Sequence, residues 1–225
     1  MDFRARRQLA VLGVIALVVG GIGFLIFRAG LPDPSCQDNR KNQGEEDADC
    51  GGPCVSCALR EQKPVEIFWT RFVQVRANTY DVAAEVRNPN VRIAAVFFDY
   101  EFKLFDTAGV AVVSRRGRAF LYPGETAHLI EIGLLSGRTI ARASLVIGEV
   151  PWRLSDAVGP DVIAGSKEYV VEGDPGMLVS TVKAIVANRG ITDVGDIAVS
   201  ALVFDQSGNL LGAHRTFINE LAAGL

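Results

Sequence analysis

Tyr100-Glu101-Phe102-Lys103-Leu104-Phe105-Asp106-Thr107-Ala108-Gly109 alternates apolar and charged side chains as far as Leu104 and then breaks on Asp-x-x-Gly. A period of two puts one set of side chains on each side of a strand, so this stretch reads as a strand with one buried and one wet face. The break has its own cause. An aspartate opening a type I turn bonds the backbone beyond it, and a glycine at the fourth position accepts a left-handed conformation. Asp106 and Gly109 are therefore assigned to a hairpin turn.

Working outward, Val65 to Val75, Tyr80 to Val86, Val96 to Phe105, Val110 to Phe120, His128 to Leu134 and Ala143 to Val150 are short β-rich runs separated by turn signals. Helical periodicity is absent from Val65 onward, and strands at this spacing predict a β-sandwich. The pattern then recurs at an offset of about 100 residues. Val82-Ala83-Ala84-Glu85-Val86-Arg87-Asn88 lines up with Val182-Lys183-Ala184-Ile185-Val186-Ala187-Asn188, and the Phe-Asp-x-x-Gly turn returns as Phe204-Asp205-Gln206-Ser207-Gly208. Asp205 and Gly208 take the same turn role. The fold class expected is all-β, two tandem immunoglobulin-like β-sandwiches. The chain reaches Ala223-Gly224-Leu225 where the last strands of the second copy are due. That second sandwich is expected to be C-terminally incomplete, through truncation or because a partner chain supplies the missing strands.

Phe102-Lys103-Leu104-Phe105-Asp106, with Gly109 and Tyr122-Pro123-Gly124-Glu125-Thr126, resembles the FxLYD-type bacterial domain, a relative of the immunoglobulin-like water-stress domains of late embryogenesis abundant proteins. Phe105 stands where that family carries its name tyrosine, and the second copy keeps Phe204, Asp205 and Gly208 of the pattern. The resemblance implies an extracytoplasmic sandwich and carries no catalytic residues.

Ahead of the β-region, Leu9 to Phe27 holds no charged or strongly polar residue. As a helix it is about 28 Å long, close to the roughly 30 Å of a bilayer core. The run ends in Phe27-Arg28 without a small-residue cleavage site, which favours a retained anchor over a cleaved signal peptide. Arg4, Arg6 and Arg7 precede it, and Asp33, Asp38 and further acids follow. The positive-inside rule therefore predicts a single-pass cell-membrane protein, N-terminus cytoplasmic and the bulk of the chain extracytoplasmic.

Next come the only cysteines, Cys36, Cys50, Cys54 and Cys57, in an acidic segment with almost nothing to fill a core. So polar a stretch needs staples, and four cysteines on an oxidising side predict two disulfides of open pairing. Zinc would want paired ligands, whereas Cys36 stands apart from a cluster of three. A Cys54-x-x-Cys57 redox pair would want a βαβ setting that is missing. Asp38, Asn42, Glu45, Asp47 and Asp49 have an oxygen-rich spacing that would suit Ca²⁺, without the glycine and glutamate positions of an EF-hand. The segment also resembles a short Asp-Cys-Gly-Gly-x-Cys motif of bacterial surface and secreted proteins, with Asn39 in place of its usual glycine. That resemblance implies export.

With 225 residues, 49% apolar, 22% charged, and 23 basic against 26 acidic side chains, the chain is not a disordered polyampholyte, a collagen or a strongly basic nucleic-acid binder. His128 and His214 have no serine or cysteine nucleophile nearby in sequence, and no nucleotide-binding or zinc-protease motif occurs. Asp99 and Glu101 share a strand face and are read as solvated. Arg115, Arg116 and Arg118 beside Phe120 form the densest basic cluster, and Trp69 and Trp152 are read as packing. The organisation expected is a cytoplasmic stub 1–8, a transmembrane helix 9–28, an acidic cysteine-rich stalk 29–61, a first sandwich 62–150, a linker 151–166 and a second sandwich 167–225. The expected function is non-enzymatic binding of another envelope protein or polymer. The alternative is an accessory subunit of a membrane complex that senses a ligand or Ca²⁺.

Overall fold

The computed structural model describes residues 3–29, 35–173 and 179–224, with the side chains of residues 3–7, 10 and 29 outside the description. The flanking charges Arg4, Arg6, Arg7 and Asp33 used to orient the anchor thus lie outside the described side chains. The chain divides into two compact units, Met1–Arg60 and Glu61–Leu225.

In the first unit the apolar run forms α1, Phe3–Ala29. Its side chains are exposed all round, Leu17 by 78%, and the window Val11–Arg28 is long and apolar enough to cross a membrane. A helix apolar on every face has no wet side to offer a soluble fold. The cysteine segment follows and ends in one turn of helix, α2, Cys57–Arg60.

The second unit is built of antiparallel strands. β1 (Glu66–Arg76), β2 (Thr79–Arg87) and β5 (Thr126–Leu135) form one sheet in the order β1-β2-β5. β4 (Ala111–Leu121), β3 (Ile93–Asp106) and β6 (Ile140–Ile147) form another in the order β4-β3-β6, with β7 (Trp152–Leu154) also paired to β3. The alternation read from Tyr100 onward sends Phe98, Tyr100, Phe102 and Leu104 inward, where they meet Val82, Ala84 and Val86 of β2, Leu129 of β5 and Leu145 of β6 in one core. Asp99, Glu101 and Lys103 face the other way.

β8 (Val162–Glu172) pairs with β9 (Val179–Asn188), and β10 (Val194–Phe204) pairs with β11 (Leu210–Leu221), each as a two-stranded sheet. The same local bonds occur in both halves of the unit. Asn88 Nδ2 donates to the carbonyls of Ile93 and Tyr122 at 2.8 and 2.9 Å, and Asn188 Nδ2 donates to those of Thr192 and Leu221 at 2.8 and 3.2 Å. Asp106 Oδ1 accepts Val110 N at 2.9 Å while Gly109 N donates to Asp106 O. Asp205 Oδ1 accepts Asn209 N at 2.7 Å while Gly208 N donates to Asp205 O. Both glycines sit at φ 78°.

One feature departs from the sequence reading. The stretch 151–166, read as a linker, carries β7 and the start of β8, because Trp152, Arg153 and Leu154 pair with Ala95, Ala94 and Ile93 and Trp152 packs on the first core. The residues read as two successive sandwiches lie within one compact unit, Glu61–Leu225. Leu210 and Ala213 of β11 and Leu202 of β10 pack with Ala83, Ile130, Trp69 and Val73 on the outer face of the β1-β2-β5 sheet. β2 is buried on both faces as a result, and its small Ala83 lets β11 approach.

Candidate functional site

The outward side chains of β3, β4 and β6 build a charged sheet face. Register places Asp99 opposite Arg118 and Glu101 opposite Arg116. Arg118 Nε reaches Asp99 Oδ1 at 3.0 Å, and Arg116 Nε reaches Glu101 Oε1 at 3.2 Å. Ser114 Oγ donates to the same Glu101 oxygen at 2.6 Å, and Lys103 Nζ lies 3.3 Å from the other. The Ser114 hydrogen bond, then Arg116 and Lys103, pull the Glu101 carboxyl down to about 2. Glu101 is thereby held as an ionised acceptor, and Asp99 is engaged by Arg118. Asp99, Glu101, Arg116 and Arg118, with Val146 and Gly148, line a shallow depression of about 540 Å³.

Aromatic rings lie on or next to the same strands. Phe97, at φ 46° in a bulge of β3, is 64% exposed and lies 5.9 Å from Phe120, which packs edge-on to Tyr122 at 4.8 Å. The Arg142 guanidinium sits 3.8 Å over the Phe105 ring. Of the rings near this charged face, Phe97 is exposed and Phe105, Phe120 and Tyr122 are half-buried.

Beneath it lies a group the sequence reading passed over. Tyr100 is 3% exposed, and its hydroxyl donates to Glu131 Oε1 at 2.9 Å, whose other oxygen meets Arg115 Nε at 3.3 Å. Burial, then the Glu131 carboxylate, pushes this phenol up to about 12. The ring lies where Gly117 has no side chain, since a Cβ there would stand 2.3 Å from the Tyr100 hydroxyl. A glycine in mid-strand, between Arg116 and Arg118, was the available signal for a close approach.

The histidines are engaged elsewhere. His128 Nε2 lies 3.3 Å from Glu85 Oε2, the oxygen to which Trp69 Nε1 donates at 3.1 Å. Trp69 meets Phe204 edge-on at 5.8 Å, and Arg71 lies near both rings while donating to the Gly208 carbonyl. Trp69 thus fastens the Asp205 turn to β1, and Trp152 packs on the first core. His214, on β11, acts on Asp81, whose carboxyl is raised by burial against the pull of its Gly133 N–H bond. Neither histidine has a serine or cysteine as hydrogen-bond partner among the described residues.

In the first unit the cysteines pair Cys36–Cys54 and Cys50–Cys57. The oxygen-bearing side chains between them cap the backbone. Asp49 accepts Asp38 N at 2.8 Å and Asn39 N at 2.9 Å, Glu45 Oε2 accepts Asn42 N at 3.1 Å, and Asp47 accepts Ala48 N at 2.8 Å. Asn42 Nδ2 donates to Asp38 at 2.8 Å, the main reason that carboxyl lies below the usual range. Among the described residues no three of these carboxylates converge. The group of three potential ligands that does is Cys36, Glu45 and Cys54, two of them sulfurs of one disulfide. A disulfide sulfur carries no proton and no thiolate charge, so this trio lacks the soft donors of a zinc site. The Gly51-Gly52 pair is steric. A Cβ on Gly51 would lie 2.5 Å from Glu46 Cγ, one on Gly52 2.5 Å from the Gly44 carbonyl, and both residues have positive φ.

Comparison of the chain with protein-family models, with curated proteins and with solved structures returns no match.

Proposed function

We propose that this chain is a non-enzymatic, single-pass membrane-anchored envelope protein whose extracytoplasmic β-unit binds another envelope protein or polymer. The observation that carries the reading is the pairing of an apolar helix exposed on every face with a loop closed by two disulfides a few residues later. The first needs a bilayer and the second an oxidising compartment. The arginines at positions 4, 6 and 7 argue that the N-terminus is cytoplasmic. The likeness to FxLYD-type domains, in which two immunoglobulin-like copies would follow each other, supports the same placement. For binding, the face bearing Phe97, Phe120, Arg116 and Arg118 supplies rings and paired charges. A photo-reactive residue replacing Phe97 in intact cells is expected to form adducts with an envelope component. A membrane-inserted chain that forms no adduct from Phe97 or from any other exposed β-face would overturn the reading.

A further inference from the structure

The first half of the β-unit leaves one long strand edge open, and the side chains along it select what fits there. β4 pairs with β3 and with no other strand among the described residues, since β5, next in sequence, pairs with β2 in the other sheet. From 112 to 121 no β4 backbone group bonds anything but β3 among the described residues. An open row of N–H and C=O groups is a template for a further strand. Val113, Ala119 and Leu121 face the core. Ser114, Arg116 and Arg118 stand on the outer face, opposite Lys103, Glu101 and Asp99 of β3. Arg116 and Arg118 are 83% and 66% exposed. Each spends its Nε on the β3 carboxylate beside it, and no terminal Nη of either has a partner among the described residues.

Two guanidinium forks at alternate strand positions lie about 7 Å apart, the repeat of alternate side chains in any extended peptide. A free fork takes a carboxylate through two parallel bonds. The open backbone and the arginine spacing thus select one occupant. We propose that the β4 edge accepts, antiparallel, an extended acidic segment of a separate polypeptide, in the order apolar-x-acid-x-acid. The apolar residue lies opposite Phe120, whose ring is backed by Phe97 at 5.9 Å, and the two carboxylates lie opposite Arg118 and Arg116. Each arginine is then held between two carboxylates, one on β3 and one on the incoming strand. A second copy of this chain is the poorer donor, because antiparallel pairing of two β4 edges about Gly117 sets Arg116 against the other copy's Arg118. A polyanion without a peptide backbone would use the arginines and leave the backbone edge unpaired. The inference rests on the reading that this face binds an envelope protein, and it assigns that protein a place and a sequence pattern.

The test titrates a fluorescent synthetic peptide, Thr-Val-Thr-Glu-Thr-Glu-Thr, onto the full chain in detergent micelles and reads anisotropy. Saturable binding is expected. Setting the two glutamates side by side, N-methylating the peptide backbone along its pairing edge, or combining Arg116→Gln with Arg118→Gln in the chain is each expected to weaken binding by about tenfold. Arg142→Gln, on β6 and away from the β4 edge, is expected to leave binding unchanged. Absence of saturable binding, equal binding of the alternating, adjacent and N-methylated peptides, or a loss with Arg142→Gln as large as with the arginine pair would overturn the inference. The Phe97 adducts in cells separate the two failures. Adducts at Phe97 without peptide binding at β4 would overturn the strand site and spare the binding function; no peptide binding and no adducts from any exposed β-face would end both.

Discussion

Asn88 is fully buried and ties three segments together, so replacing it measures how far the first half of the β-unit depends on one polar side chain. Its Nδ2 donates to Ile93 O and Tyr122 O, and its Oδ1 accepts from Asn90 N and Asn90 Nδ2, both at 3.0 Å. Asn88→Ala removes these four bonds and leaves carbonyls stranded where water does not reach. At about 1 kcal/mol for each bond, with more where a partner stays unsatisfied, the loss is roughly 4 kcal/mol. For a unit of this size that lowers the melting temperature by about 10 °C. The assay is urea and thermal unfolding of the full chain in detergent micelles, followed by tryptophan fluorescence. Both tryptophans report on this half, Trp152 from the core and Trp69 from the outer face of the β1-β2-β5 sheet. Asn188→Ala removes the two matching carbonyl bonds and one to Gly190 N, and the expected loss is smaller, about 3 kcal/mol. A change below about 1 kcal/mol for Asn88→Ala would refute the view that these bonds hold this corner of the β-unit.

Gly117→Ala drives a methyl group into the Tyr100 ring, which its bond to Glu131 and the surrounding core keep from yielding; a loss of about 1–3 kcal/mol is expected in the same assay, relieved by pairing it with Tyr100→Leu. The Tyr100 phenol, raised to about 12 from an ordinary value of 10.0, gives a contribution that is complete below pH 10 and is lost as pH rises through about 12. That difference is worth about 3 kcal/mol, and Tyr100→Phe should flatten this part of the alkaline unfolding curve. Reduction removes two cross-links, worth about 3 kcal/mol for Cys36–Cys54 at a separation of 18 and about 2 kcal/mol for Cys50–Cys57 at a separation of 7. The amides of Asp38, Asn39 and Asn42 are then expected to lose hydrogen-exchange protection, since their carboxylate caps depend on the closed loop.

The strands were legible because their periodicity is local. Tyr100 to Leu104 needs only its own alternation to declare a strand, and Asp106 and Gly109 need only each other to declare a turn. The apolar helix was legible for the same reason. The cysteine pairing was not, because three pairings satisfy the same spacing and the choice depends on backbone turns at Asn39, Asp49, Gly51 and Gly52. Asn88 and Asn188 aligned in the repeat, yet the purpose of the match emerged only from carbonyls supplied by Tyr122 and Leu221, more than thirty positions away. The packing of β11 on β2 was hidden too, because Ala83 reads as an ordinary small residue until its second face is seen to be covered. The stretch 151–166 carried proline and glycine punctuation that suggested a linker, and the pairing of Trp152 with Ala95 overrode it. In the site, Arg116 and Arg118 stood out in sequence, whereas their partners Glu101 and Asp99 could be assigned only once the β3–β4 register was known.

In the function proposed above, α1 crosses the membrane and everything beyond Arg28 lies on its outer side. Protease added to cells whose outer barriers have been opened, with the inner membrane intact, tests it directly when an antibody against residues 61–225 and a tag on the N-terminus are read together. Loss of the antibody signal with a short tagged fragment left protected is expected. A chain that stays whole until detergent is added would contradict it.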